Sequence, residues 1–312
     1  MGSVMQFNEK IRAVPPQLFA DDDILAAARD IACLCGMQAA RQIHEAISQS
    51  GLLALSVPND IGGADVTNDL IAQVIAIVAE IDTDMARRIA EHFTALEFIR
   101  NAGSDEQRRV LFHKASLGET FSLATDVPDP EHPVVLGDDL AFRFSDKRLV
   151  AASSDTDWIV TPAFNYLRQP VLAVVRSRGS ALADGRLRAD EVLPLIQATN
   201  NLPVSLGSLL RAAVVLGKVQ HDLSDMLAHV SADEAAGQSE IGEVFLAAEL
   251  LKAQITRVAA MIDAAQVGAE NVTFRSVRRA AITLEILMLR AGLNDAESAS
   301  GLIASLGDDL RR

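Results

Sequence analysis

Six histidines, His44, His92, His113, His132, His221 and His229, come first, because imidazole titrates near neutrality and binds metals. They are dispersed along the chain. Only His221 and Asp225, one helical turn apart, have a spacing that could hold a metal, and such pairs are far more often solvated surface contacts, so no metal site is assigned. Nucleotide and hydrolase signatures are missing too. A Rossmann unit needs G-x-G-x-x-G between a strand and a helix, and neither that spacing nor a P-loop occurs. No G-x-S-x-G elbow is present. Asn271-Val272-Thr273 has the spacing of a glycosylation acceptor, but Met1 to Lys10 lack the basic start and apolar run of a secretion signal. Cys33 and Cys35 would project about 200° apart on a helix, so they cannot bridge each other. A reducing, cytoplasmic compartment is the expectation.

Composition narrows the classes further. With 49% apolar and 22% charged residues in 312, the chain reads as an ordinary globular protein. Lys plus Arg number 28 against 42 Asp plus Glu, and the net charge of -14 would repel a phosphate backbone, so nucleic acid is not an expected partner. No uninterrupted apolar stretch of about 18 residues suggests a membrane span.

Proline divides the chain. Pro128, Pro130, Pro133, Pro162, Pro170, Pro194 and Pro203, seven of the ten prolines, fall in one stretch that must be largely non-helical. Before it, Asp21 to Asp23 start a helix whose apolar residues run from Ile24 through Ile31 and Ile43 to Ile47, with Gly51 ending it. Asn68 caps a second helix, and Ser104 with Gln107 forms a capping box for a third. In the middle, Leu140 to Phe144, Leu149 to Ala152, Trp158 to Thr161 and Val171 to Val175 read as short strands. After it, Ile241, Val244, Ala248, Leu251, Ile255, Val258, Ile262 and Ala265 step by three and four. Together with Leu209 to Leu227, Val277 to Ala291 and Leu302 to Leu310, they predict a four-helix bundle. The expected organisation is an N-terminal helical domain (1–126), a shortened β segment (127–195) and a C-terminal bundle (196–312).

Two stretches carry a resemblance. Ser50 to Asn68, "SGLLALSVPNDIGGADVTN", and Ala102 to Asp126, "AGSDEQRRVLFHKASLGETFSLATD", resemble segments of the acyl-CoA dehydrogenase superfamily. Within it, "EHFTALEFIR" (Glu91 to Arg100) and Ser239 to Ala265 are most similar to the two-component flavin-dependent monooxygenases of organosulfur metabolism. The resemblance implies a mainly α, acyl-CoA dehydrogenase-like fold with FAD or FMN between the β segment and the bundle. It implies Thr125 as a cofactor contact and His92, from the "HF" pair, as an acid or hydrogen-bond donor. A histidine packed on a buried helix is the alternative for His92.

Several family features are eroded. Leu149 stands where an aromatic would face the flavin, and Ala151 where a threonine would meet it; Ser153 and Ser154 are the nearest substitutes as polar contacts. Three prolines, Pro128, Pro130 and Pro133, replace a glycine-rich turn and remove its amide donors. The resemblance therefore implies a flavin oxidoreductase acting on a small-molecule or acyl-CoA substrate. The alternative is a flavin-free, non-catalytic relative that serves as a structural or regulatory subunit. Either would form a homo-oligomer, or pair with a full-length relative, through the C-terminal bundle.

Overall fold

The computed structural model describes residues 14–37, 40–124, 156–165, 167–177, 189–195, 201–229, 235–270 and 272–292. Five helices open the chain: α1 (Asp21–Cys35), α2 (Ala40–Gln49), α3 (Asn68–Ala79), α4 (Thr83–Arg100) and α5 (Asp105–Ser116). The apolar run from Ile24 to Ile47, expected as one helix, is two. Gly36, a poor helix former, caps α1 and donates to the Ala32 carbonyl while Met37 N donates to that of Leu34, yet Ile24, Ala28, Ile31, Ile43 and Ile47 all enter one core. The cap of α3 also differs by one residue from the expected Asn68. Thr67 Oγ1 accepts the Leu70 N–H at 3.4 Å, and the Asn68 amide is drawn away to Asp263 Oδ1 at 2.6 Å on a distant helix. The capping box is as expected: Ser104 Oγ accepts from Gln107 N at 3.2 Å, and Gln107 Oε1 accepts from Ser104 N at 3.1 Å.

Among the described residues four short strands follow, β1 (Phe121–Leu123), β2 (Trp158–Phe164), β3 (Pro170–Arg176) and β4 (Glu191–Pro194), in the spatial order β1-β2-β3-β4. β1 runs parallel to β2, and the other two pairings are antiparallel. The expected strands at Trp158 to Thr161 and Val171 to Val175 lie within β2 and β3. Those at Leu140 to Phe144 and Leu149 to Ala152 lie outside the described residues. The pleat sorts the sheet's side chains: Trp158, Val160, Leu172, Val174 and Leu193 join the main core, while Ile159, Ala163, Val171, Ala173 and Val175 form a second cluster on the opposite face. Trp158, the only tryptophan, stacks on Phe121, and Lys114 Nζ and the Arg176 guanidinium lie over its ring, 4.4 Å and 4.9 Å from the centroid. Its Nε1–H donates to Glu119 Oε2 at 2.5 Å.

Three long helices complete the described chain: α6 (Leu202–His229), α7 (Ala235–Gln266) and α8 (Phe274–Gly292). α6 is the axle of the molecule, packing on α3, α4, α7 and α8. Its first half is apolar for that reason. Gly217 permits the closest approach, since a Cβ there would stand 2.2 Å from the Ala76 carbonyl oxygen of α3. The far half of α6 and the near half of α7 project outward, so Leu227, expected on the packing face, is instead 61% exposed. Phe245, Leu246 and Leu250 are exposed beside it in the same projecting hairpin. The expected fourth bundle helix, Leu302 to Leu310, lies outside the described residues.

Candidate functional site

Helix periodicity assembles a cavity where α4, β1, α6 and α8 converge. From α4 come Arg87, Ala90, Glu91 and Thr94, and from α6 Gly207, Arg211, Val214 and Val215; both sets are spaced to share one helix face. Leu123 and Ala124 at the end of β1, and Met288 from α8, close it. Its volume is about 360 Å³, within the range that holds small organic ligands. The lining is chiefly aliphatic, with Arg87, Glu91, Thr94 and Arg211 as its polar points.

Each polar point is held differently. Arg87 is exposed and pairs with Asp84 at 2.8 Å. Arg211 Nη2 donates to Ser208 Oγ at 3.2 Å and lies 3.4 Å from Glu285 Oε1, which anchors it to α8 at the cavity edge. Thr94 Oγ1 donates to the Ala90 carbonyl at 2.8 Å, leaving its oxygen free to accept from within the cavity. Gly207 matters by having no side chain: a Cβ would lie 3.2 Å from Thr94 Cγ2 and 3.3 Å from Arg211 Nη1. Glu91 Oε2 is buried without a hydrogen-bond partner, and burial raises its carboxyl above the usual glutamate value against the pull of Arg88 and Arg87.

Behind Glu91 lies a smaller chamber of about 40 Å³ between α4, α2 and β1. His92, the expected proton donor, belongs here and is 1% exposed. Its Nε2 lies 2.9 Å from the Leu53 carbonyl oxygen, and its Nδ1 is 3.1 Å from the Phe121 amide nitrogen. A carbonyl can only accept and an amide only donate, so the ring is the Nε2–H tautomer, neutral, with both nitrogens committed to main chain. Burial drives its pKa down to about 4, opposed by the Leu53 bond and by Asp157. His92 thus ties α4 to β1 and to the short turn Leu52–Ala54. The three other residues implied by resemblance, Thr125, Ser153 and Ser154, lie outside the described residues.

The sequence carried faint signs of what the resemblance did not supply. Arg211 is the sole charge between Leu202 and Gly217, which marks a position where an apolar helix face meets something polar. Glu91 stands beside His92 in the quoted "EHF" stretch, but nothing in spacing alone separates it from an exposed glutamate. His221 and Asp225 lie 3.4 Å apart on the exposed half of α6, a solvated pair.

Neither a family model nor a curated protein matches the sequence. Solved structures do match its fold. Methanesulfinate monooxygenase MsuC from Pseudomonas fluorescens superposes with a TM-score of 0.72 at 18% identity, over 94% of this chain and 87% of that one. FMN-bound TdsC from Paenibacillus sp. A11-2 gives 0.71 at 16% identity, over 87% of this chain and 84% of that one. Butyryl-CoA dehydrogenase from Megasphaera elsdenii gives 0.67 at 12% identity, over 94% of this chain and 98% of that one. The chain has the acyl-CoA dehydrogenase fold, shared with flavin monooxygenases and acyl-CoA dehydrogenases.

Proposed function

We propose that this chain is a flavin-dependent oxidoreductase of the monooxygenase type, acting on a small organic substrate in the cavity between α4, β1, α6 and α8. The cavity carries the reading: its volume of about 360 Å³, its aliphatic walls and its few polar points suit a flat ring system and a small partner. The similarity to MsuC and to FMN-bound TdsC supports FMN or FAD as that ring, and butyryl-CoA dehydrogenase names acyl-CoA oxidation as the other reaction this fold hosts.

The residues fit a flavin. Gly207 keeps the α6 wall flat, because any Cβ there would crowd Thr94 and Arg211. Val214, Val215, Leu123 and Met288 exclude water, while Arg211, braced by Ser208 and Glu285, offers a positive charge to an electron-rich edge. Thr125, next in sequence to Ala124, and Ser153 and Ser154, just before Thr156, are proposed as hydroxyl contacts to the cofactor. Bound there, a flavin supplies two-electron transfer and oxygen chemistry. His92 acts in this reading as a positioning residue: it holds Phe121, and with it the cavity-lining end of β1, against α4.

Titration with FMN and with FAD, followed by absorbance and fluorescence, tests the assignment. Saturable uptake by the wild type, lost in Gly207→Val while that variant keeps its helical circular dichroism, is the expected result. A colourless protein that takes up neither flavin supports the other reading, a flavin-free structural or regulatory subunit. The exposed Leu227, Phe245, Leu246 and Leu250 support self-association through the projecting α6–α7 hairpin, or pairing with a full-length relative. Sedimentation of Phe245→Glu/Leu246→Glu beside the wild type separates these: a homo-oligomer falls to monomers, whereas a chain already monomeric points to the relative.

A further inference from the structure

Among the polar points of the large cavity, Arg211 is the one whose charge is poorly met. Its side chain is 55% exposed, and both of its contacts among the described residues are made by Nη2, to Ser208 Oγ at 3.2 Å and to Glu285 Oε1 at 3.4 Å. Glu285 is a weak counter-charge there, because the same Oε1 accepts the Ser208 hydroxyl in a much shorter bond. The other corner of the guanidinium stands over Gly207: a Cβ on that glycine would lie 3.3 Å from Nη1 and 3.2 Å from Thr94 Cγ2. With only hydrogen at that position, a notch beside Nη1 is left to a ligand. Arg87, the other cation of the lining, already pairs with Asp84 at 2.8 Å on the exposed side. Glu91 is the lining's only acid, and burial favours its neutral form.

We propose that Arg211 selects the substrate of this cavity, and that the substrate is a small monocarboxylate whose head group accepts from Arg211 Nη1 over Gly207. Its apolar body then lies against Val214, Val215 and Met288. A guanidinium remains charged at every working pH, and its planar fork matches the two oxygens of a carboxylate. Ser208 and Glu285 hold Nη2 beforehand, so little side-chain freedom is lost when the ligand arrives. The aliphatic walls strengthen the attraction by keeping water away. They also set its limit: one guanidinium answers one negative charge, and a phosphate dianion would keep a second charge unmet among aliphatic side chains.

That this carboxylate is the compound oxidised rests on the flavin reading; its binding in the cavity does not. Ligand-observed NMR titration of the flavin-free full chain tests the binding, with benzoate and hexanoate compared with their neutral twins benzamide and hexanamide. For whichever body binds better, the acid should bind at least tenfold more tightly than the amide. That preference should vanish in Arg211→Met and return in part in Arg211→Lys, which restores the charge without the fork. Arg87→Gln should keep it. Arg211→Gln is read in the same way should the methionine variant fail to fold. Equal binding of acid and amide, or a preference that survives the loss of the Arg211 charge, overturns the proposal. The FMN-saturated chain should bind the acid too, since ring and substrate share the cavity, and mutual exclusion of the two also overturns it. Failure of the wild type to take up flavin sinks the oxidoreductase reading alone, because the preference for the acid is measured without flavin.

Discussion

Two glutamates on α4, six residues apart, are treated in opposite ways. Glu97 is 2% exposed and fully engaged: Asn101 Nδ2 donates to Oε1 at 2.8 Å, Gln266 Nε2 donates to Oε2 at 2.8 Å, and Arg100 Nε lies 3.0 Å from Oε2. The network runs on through Gln266 Oε1 to Asn68 at 3.1 Å and from there to Asp263, so it staples α4 and α3 to α7. Arg100 Nη2 extends it to the Ser56 carbonyl. Glu91 has nothing of the kind at Oε2, which is buried without a partner, and the residue lines both the large cavity and the small chamber. One helix therefore carries a glutamate whose every neighbour is fixed and another whose Oε2 is buried without a partner, so the two respond differently to substitution.

Removing the fixed one should have the largest effect. Glu97→Ala strands Gln266 and Asn101 and leaves Arg100 without its counter-charge, a loss of about 3–5 kcal/mol by chemical denaturation. An unchanged midpoint would erase the contrast. His92→Leu comes next, since it orphans the Phe121 amide and the Leu53 carbonyl, for about 2–4 kcal/mol. Its pH signature is distinctive. The folded pKa near 4 lies below the ordinary 6.5, so the unfolded chain binds the extra proton; wild-type stability relative to His92→Leu falls as pH drops from 6.5 to about 4, by as much as about 3 kcal/mol. A flat difference across that interval would mean the ring is not held neutral.

Smaller effects sharpen the contrast. Gly207→Ala gains helix propensity, about 1 kcal/mol, and loses a similar amount to crowding against Thr94, so stability should barely move. Affinity for FMN should nonetheless fall severalfold, and tight binding would argue against a ring seated on that wall. Glu91→Gln should be the mildest in acid and gain with pH. The folded carboxyl titrates above 4.5, so its stabilising contribution is complete below that pH and is lost as pH rises through the folded value. The glutamine variant has no such loss. Its stability should overtake the wild type's on the alkaline side, and parallel curves would place Glu91 in the same class as a surface glutamate.

Helices were legible wherever an apolar period ran unbroken against a cap, as in α5 with Ser104 and Gln107, and in the α7 seam from Ala248 to Ala265. The split at Gly36 was not, because both halves feed the same core and keep the same rhythm across the break. β1 and β4 escaped because three or four residues carry too little alternation to register, and they are defined by pairing with β2 and β3. The same limit governs the site. Thr94, Gly207 and Glu91 matter through what the opposite helix or strand places before them, and that juxtaposition is written in no single stretch. His92 was legible as special, but its role turned on which main-chain atoms met each nitrogen.

The lone tryptophan gives the protein a built-in reporter. In cation-π contact with Lys114 and Arg176 and stacked on the very phenylalanine whose amide His92 grips, Trp158 emits from the seam where strand meets helix. Any event that loosens that seam, from acid to an incoming ligand, will change the colour and intensity of a single indole, with no second one to blur the signal.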